Sequence, residues 1–412
     1  MNAEKTGVFY GYAIVIYTFL IMLIMWGTLY SFGVFFKPLL TEFGWTRAMT
    51  SSAFSLNMLL YGALAIVTGR LTDRFGPRIV IMVCGFLLGL GYLLTSQIGS
   101  IWQLYLFYGV IIGIGMSGSY APLVSTVARW FTQRRGLMTG IVVAGIGIGT
   151  VIIPPLANWS IATYGWRTSY LIIGVITLVS LISLAQLLKR DPSQMNLVPY
   201  GEREMALNGL QLEPRRYSFR QAIHTRQFWL ICVINISFGF ILQTIMVHIV
   251  PHATDLGLSY TTAATILAIG GGVSIAGRLI MGIVTDRIGG RAALLICFVL
   301  ISAALLWLLA SKELWMLYLF AIIFGFGYGG FAPLASLIIA EYFGLSAHGA
   351  ILGGTEFLFT IGSAIGPVLA GQIFDITGSY QLAFSLCAAL SIIAMIFALL
   401  LTPTIDFRIE RR

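Results

Sequence analysis

The stretch 261–291, TTAATILAIGGGVSIAGRLIMGIVTDRIGGR, decides how the rest of the chain is read. It is apolar enough and long enough to cross a bilayer, carries one unpaired-looking cation, Arg278, and runs into a turn rich in Gly, Asp and Arg. A guanidinium inside hydrocarbon costs about 2.5 kcal/mol or more, so it normally faces protein or water. An anionic partner is expected there. Arg278 lies eight residues before Asp286, which at about 1.5 Å of rise per residue is roughly 12 Å of helix and puts the charge near the bilayer midplane.

The composition around this stretch agrees with a membrane setting. The 412 residues are 58% hydrophobic and 9% charged, with a mean hydropathy of +0.93, which a soluble domain would not tolerate on its surface. Apolar runs lie near 11–38, 48–68, 79–98, 102–128, 136–161, 167–189, 226–254, 260–284, 291–311, 314–341, 348–373 and 379–403. Each is close to the roughly 20 residues a span requires, giving an all-α membrane protein of twelve transmembrane helices. The first run has no small-residue cleavage site and reads as a retained span. Between the sixth and seventh runs the character changes, with Pro192, Pro199, Pro214 and many charges. The expected organisation is an N-terminal six-helix bundle over 1–189, a linker over 190–222 and a C-terminal six-helix bundle over 223–412.

The formal charge of +9 is a matter of topology rather than of nucleic-acid binding. Of 24 Lys and Arg, 19 fall on one side of the spans, four (Lys37, Arg47, Arg167 and Lys312) on the other, and Arg278 within. The positive-inside rule then puts both termini and the linker in the cytoplasm of a cell-membrane protein. Cys84, Cys232, Cys297 and Cys387 sit in apolar runs and read as packing residues. No metal-spaced His or Cys cluster, nucleophile elbow or phosphate loop is found, so no catalytic residues, metal or cofactor are expected and the chain does not read as an enzyme.

The two halves repeat each other. GRLTDRFGPR at 69–78 matches GIVTDRIGGR at 282–291 with an offset of 213, and SYAPLVS at 119–125 matches GFAPLAS at 330–336 with an offset of 211. Nearly constant offsets across separated motifs imply two six-helix units duplicated in parallel, an architecture that suggests alternating access. The counterpart of Arg278 is Ala65, so the duplication did not supply this charge.

The Gly-x-x-x-Asp-Arg-x-Gly-x-Arg turn after the second run, recurring after the eighth, resembles the signature of the major facilitator superfamily. Within it the chain is similar to monocarboxylate transporters. RWFTQRRGLMTGIVVAG at 129–145 looks like that family's motif leading into span 5, while FYGYAIV at 9–15 and FGVFFKPLL at 32–40 look like its span 1. Arg278 falls where the family has its substrate-linked arginine. The resemblance implies a major facilitator fold and small monocarboxylates such as lactate and pyruvate, commonly carried with a proton. Proton-coupled members often have an Asp one turn before that arginine; here the position is Ser274. The related oxalate and formate exchangers add a lysine in span 11, and this chain has none there.

Further candidates follow from depth and chemistry. Glu356, seven residues after Gly349, is a carboxylate deep in the eleventh run, either a proton carrier or a fixed ion-pair partner of Arg278. Arg278 itself holds a substrate carboxylate or is tied to Glu356 or a backbone carbonyl. Tyr120, Tyr328, Phe331, Phe357 and Phe359 lie about 8 to 13 residues from the cytoplasmic end and could shape a pocket at midplane. His248 either titrates beside the substrate or packs, and Asn57 at mid-depth is costly to leave unpaired. Lys37, beside Pro38, has a proton or substrate access role by resemblance, or is a snorkelling interfacial lysine. Asp73 with Arg74, and Asp286 with Arg287, can pair across the bundle ends and hold one access state closed. Gly140, Gly145, Gly147 and Gly149 form a face for close helix approach, and Pro154-Pro155 and Gly366-Pro367 can bend their helices.

The leading expectation is a cell-membrane symporter for a small monocarboxylate and a proton, with Arg278 as the anion clamp. The alternatives are an organic-anion exchanger of the oxalate and formate type and a non-transporting organic-acid sensor, the latter disfavoured by a short linker and short tails.

Overall fold

The computed structural model describes residues 9–45, 47–202 and 217–402, without the side chains of residues 37, 47, 48, 51, 260, 261 and 264. Long apolar runs become helices because in hydrocarbon every backbone N–H and C=O must be satisfied within the segment. Span 1 is Tyr10–Tyr30 continued by Phe32–Phe43, span 2 Arg47–Phe75, span 3 Pro77–Thr95 and span 4 Ile101–Trp130. Spans 5 and 6 share the helix Arg135–Gln186, which divides at Gly165, whose φ of 78° and ψ of 161° leave helical geometry. Span 7 is Arg226–Asp255, span 8 Tyr260–Ile288, span 9 Gly290–Ala310, span 10 Leu314–Phe343, span 11 His348–Thr377 and span 12 Gln381–Leu400.

Local chemistry sets the helix ends. Thr225 and Ser259 cap spans 7 and 8 by accepting from the N–H groups of Phe228 and Thr262. Gly76 and Gly289, at φ 87° and 83°, turn the chain out of spans 2 and 8 at the two copies of the repeated motif.

Span 4 differs from the single helix expected. Residues Tyr105–Ile112 form a π-helical turn, and the carbonyl of Tyr108 accepts the Nδ2–H of Asn57 at 2.9 Å. The helix then stops after Met116 and restarts at Ala121, with Pro122 in the first turn, where a missing N–H costs nothing. The related stretch of span 10 stays helical through Pro333.

Close glycine contacts hold each half together. Gly145 and Gly149 of span 5 lie against Phe19 and Leu23 of span 1, and Gly85 and Gly89 of span 3 against Leu181 and Leu178 of span 6. In the other half Gly277 and Gly329 bring spans 8 and 10 together, and Gly362 and Gly366 seat span 11 on span 7. The described part of the linker is docked: Tyr200 exchanges backbone bonds with Trp130 and Thr132 at 2.9 and 3.0 Å, and its ring packs among Phe9, Tyr12 and Phe131. Residues 203–216, with Pro214, lie outside the described residues.

Candidate functional site

The halves meet most extensively where span 2 crosses span 11 and span 5 crosses span 8. At the linker-side end of the first, the Asp73 carboxylate accepts the N–H groups of Gly349 and Ala350 at 3.1 and 2.9 Å, and Arg129 Nη2 donates to it at 2.8 Å. At the second, Asp286 accepts the N–H groups of Gly136 and Leu137 at 2.6 and 3.0 Å. Each carboxylate thus sits on the first turn of a helix from the other half, where N–H groups lack intrahelical partners and the helix dipole is positive. The backbones touch beneath these caps: a Cβ on Gly69 would overlap the carbonyl of Gly349, and one on Gly136 that of Gly282.

This corrects the expectation for the motif arginines. Arg74 stacks over the ring of Phe75 at 5.0 Å and Arg287 is exposed. Among the described residues neither makes an ion pair; the arginine on Asp73 is Arg129. Neighbours one apart in a helix do not share a face, so an arginine next to the aspartate is poorly placed to meet the same partner.

Deeper along the second crossing lies Arg278, 7% exposed. Its Nη1 donates to Ser274 Oγ at 2.9 Å, and Ser274 Oγ donates to the carbonyl of Gly271 at 2.7 Å. Arg278 Nε is buried with no partner. Gly147 of span 5 makes room for the guanidinium, since a Cβ there would stand 2.6 Å from Nη1. One turn beyond Ser274 on the same face, a Cβ on Gly271 would meet nothing within 4 Å, so the helix is unpacked there, two turns from the charge. Among the described residues no carboxylate pairs with Arg278, so a fixed ion pair with Glu356 is not present in this arrangement.

Glu356 occupies the first crossing. Its side chain is partly exposed and its Oε2 has no hydrogen-bond partner. Its charge acts on Tyr61 and Tyr120, while that of Arg278 acts on Tyr30, Tyr120 and Tyr328. Tyr120 therefore stands within electrostatic reach of both. The break in span 4 immediately precedes the helix that Tyr120 starts, and its hydroxyl donates to the carbonyl of Ala332 at 2.5 Å, linking span 4 to span 10. Trp26 stacks on Tyr30 at 5.8 Å and meets Tyr61 edge-on at 5.6 Å, with its own indole N–H unpartnered. Tyr30 remains 40% exposed. The cluster offers a guanidinium, hydroxyl groups and an indole N–H as donors, and one carboxylate as acceptor.

Of the residues picked out in the sequence, Tyr120 and Tyr328 gather with Arg278 and Glu356, and Phe357 is partly exposed next to Glu356. Others are used elsewhere. Both nitrogens of His248 are engaged, Nε2 with the carbonyl of Pro367 at 2.9 Å and Nδ1 with the hydroxyl of Tyr380 at 3.2 Å. It lies 22 residues from the start of span 7, whereas Arg278 lies 10 from the end of span 8; at about 1.5 Å per residue their depths differ by roughly 18 Å. Asn57 is spent on the π-helical turn of span 4. Phe331 is stacked on Phe238 at 3.8 Å within the C-terminal half. The side chain of Lys37 lies outside the described residues. Sequence reasoning missed Trp26, Tyr30, Tyr61 and Arg129; the only signal was a polar tip on an aromatic ring, or a charge, within or ending an apolar run.

The Major Facilitator Superfamily model matches residues 18–288 and 253–411. The chain belongs to the Major Facilitator Superfamily: it is a multi-pass membrane transporter of two six-helix bundles, not an enzyme. Within that superfamily it is similar to monocarboxylate transporters. It is 27% identical to monocarboxylate transporter 13 of Rattus norvegicus over 383 residues, 92% of this chain and 86% of that one. To monocarboxylate transporter 12 of Mus musculus it is 29% identical over 425 residues, 95% and 84% of the two chains. Among solved structures, the proton:xylose symporter XylE superposes with a TM-score of 0.73 at 15% identity, covering 96% of both chains. The human organic anion transporter MFSD10 does so with 0.75 at 17%, covering 94% and 99%. These two likenesses show the fold alone.

Proposed function

We propose that the protein is a proton-coupled symporter for small monocarboxylates of the lactate and pyruvate kind, working by alternating access in the cell membrane with both termini and the linker in the cytoplasm. The observation that carries this reading is Arg278: buried, bonded to neutral Ser274, with no carboxylate paired to it among the described residues and Nε unpartnered. A buried charge left without a counter-ion costs several kcal/mol. A carboxylate would take up the unused N–H groups in a two-pronged, charge-assisted pair. One cation matches one carboxylate, and the names of the similar transporters point to the same class.

The mechanism follows from the crossings. With the caps of Asp73 and Asp286 engaged, the linker-side end is shut, and on this topology the arrangement faces outward. Substrate enters past Tyr30 and Gly271 and meets Arg278. Glu356 accepts the proton, so that cargo and site together stay close to neutral while the halves rock. Opening to the cytoplasm then requires both aspartates to release the helices they cap.

The test is uptake in proteoliposomes. Arg278→Ala should insert normally and fail to take up labelled lactate; full uptake would reject the clamp. Acid-stimulated uptake that is unaltered in Glu356→Gln would remove Glu356 from the proton path.

A further inference from the structure

His348 opens span 11 at the linker-side end and is fully buried. Its Nε2 lies 2.9 Å from the carbonyl of Ser336 in span 10 and 3.3 Å from the Oγ of the same residue, while Nδ1 is buried with no partner. A carbonyl only accepts, so Nε2 carries the hydrogen, Nδ1 keeps a bare lone pair and the ring is neutral. Two charges act on it, both positive and both from the other half: Arg129 at the end of span 4 and Arg135 at the start of span 5. The carboxylates of this end are committed elsewhere. Asp73 of span 2 holds Arg129 and the N–H groups of Gly349 and Ala350, and Asp286 of span 8 holds those of Gly136 and Leu137. Asp191 of the linker sits 3.6 Å from Arg129. His348 is also the first residue of its helix, where the backbone dipole disfavours a cation.

A proton on Nδ1 would create a buried donor without an acceptor and a further positive charge beside two arginines. The shut arrangement excludes it. The next residue, Gly349, is the one that Asp73 caps and Gly69 touches, so burial of the ring and closure of the linker-side end are the same event. We propose that His348 is a second, regulatory proton site, at which acid on the linker side holds that end open: the ring is buried only when neutral, and once exposed it takes a proton that must leave before spans 2 and 11 close again. The proton comes from linker-side water and returns to it. Glu356 lies eight residues further along the helix, about 12 Å away by helix rise, so this proton is separate from the one proposed to travel with the cargo. A carrier that brings protons to the linker side would thereby slow its own return. The inference concerns closure and stands or falls independently of what Arg278 binds.

The experiment is amide exchange of the purified full-length protein without substrate, from about pH 7.5 down to about pH 5.5. It is read at Ala350 and at 136–137, where the variants alter neither the exchanging residue nor the one before it. Dividing the wild-type rate by that of His348→Gln at each pH cancels the chemical pH dependence of exchange; the Gln amide can still donate to the Ser336 carbonyl and takes up no proton. An exposed histidine titrates near about 6.5, so with the buried ring unprotonated the ratio should rise roughly tenfold over that range. His348→Asn should give the same rise. In proteoliposomes, acid on the linker side should slow exchange of labelled lactate more in wild type than in either variant. A ratio that is flat with pH, or falls as the pH is lowered, overturns the proposal. An offset that is the same at every pH does so too, because it would show that His348 only packs.

Discussion

The crossing of spans 2 and 11 and the crossing of spans 5 and 8 are copies at one end and opposites in the middle. Asp73 and Asp286, Gly136 and Gly349, and Leu137 and Ala350 are all related by 213 residues, and each carboxylate caps the partner helix in the same way. One layer deeper the backbone fit still repeats, with Gly140 against the carbonyl of Arg278 and Gly353 against that of Ala65. The side chains then diverge. Arg278 has Ala65 as its counterpart, and Glu356 has Val143. Closure of the linker-side end is thus written into glycines and backbone, and duplicated, whereas the two charges of the site are carried by side chains that only the second half owns.

The comparison can be broken at several depths. The largest effect is expected from Gly69→Val and Gly282→Val, whose added atoms meet backbone that cannot step aside. Overpacking of up to about 3 kcal/mol against the closed arrangement is roughly a hundredfold in population. Amide exchange at 136–137 and 349–350 should accelerate accordingly in both variants; acceleration in only one would show that the crossings do not close together.

A smaller effect separates the caps themselves. Asp73→Ala removes the acceptor of two backbone N–H groups and strands Arg129, whose counterpart by the offset is Tyr342, whereas Asp286 has only the longer-range field of Arg135. With charge-assisted hydrogen bonds at about 1.5 to 3 kcal/mol each, exchange at 349–350 in Asp73→Ala should rise more than exchange at 136–137 in Asp286→Ala. The reverse order would mean that Arg129 contributes nothing to the cap.

Gly147→Ala sharpens the contrast at the site. The new methyl meets only side chains, the tip of Arg278 and Ile275, so folding should survive while the lactate KM rises several-fold, a loss of about 1 kcal/mol. The matching substitution at the other crossing, Gly62→Ala, meets Thr360 and does not touch Arg278. It should leave KM alone, and equal effects would dissociate Gly147 from the guanidinium.

The smallest expected effect lies on the far side, where Glu42 accepts from Trp166 Nε1 at 2.6 Å and pairs with Arg167. The Trp166 hydrogen bond first, and then Arg167, hold the Glu42 carboxyl below its ordinary range. A lowered folded-state value means the stabilisation is present above the unfolded-state pKa and is lost as pH falls through the folded one. For so exposed a pair it should be below about 1 kcal/mol. The melting-temperature advantage of wild type over Glu42→Gln should be small at neutral pH and vanish in acid; an advantage that grows in acid would contradict it.

Much of the fold was legible because hydropathy counts spans and a 213-residue offset exposes duplication. The same offset identified the aspartates but not their partners, since a helix N-terminus has no side-chain signature and Gly136 and Gly349 look like any membrane glycine. Arg278 was visible because a charge within an apolar run is rare. Trp26, Tyr30 and Tyr61 were not, because their role comes from which helix faces which, a tertiary fact. The break before Tyr120 was hidden for a similar reason: a nearly identical APL segment stays helical around Pro333 and restarts a helix at Ala121. His248 and Asn57 were drawn toward the site by polarity alone, and the structure gives each a local partner instead.

Equilibrium binding of labelled lactate to purified protein, wild type against Arg278→Ala, bears most directly on the guanidinium's role. Losing a two-pronged charge-assisted contact should lower affinity by about a hundredfold, while slow amide exchange at 136–137 and 349–350 shows the caps still in place. Unchanged affinity with intact caps would contradict the account.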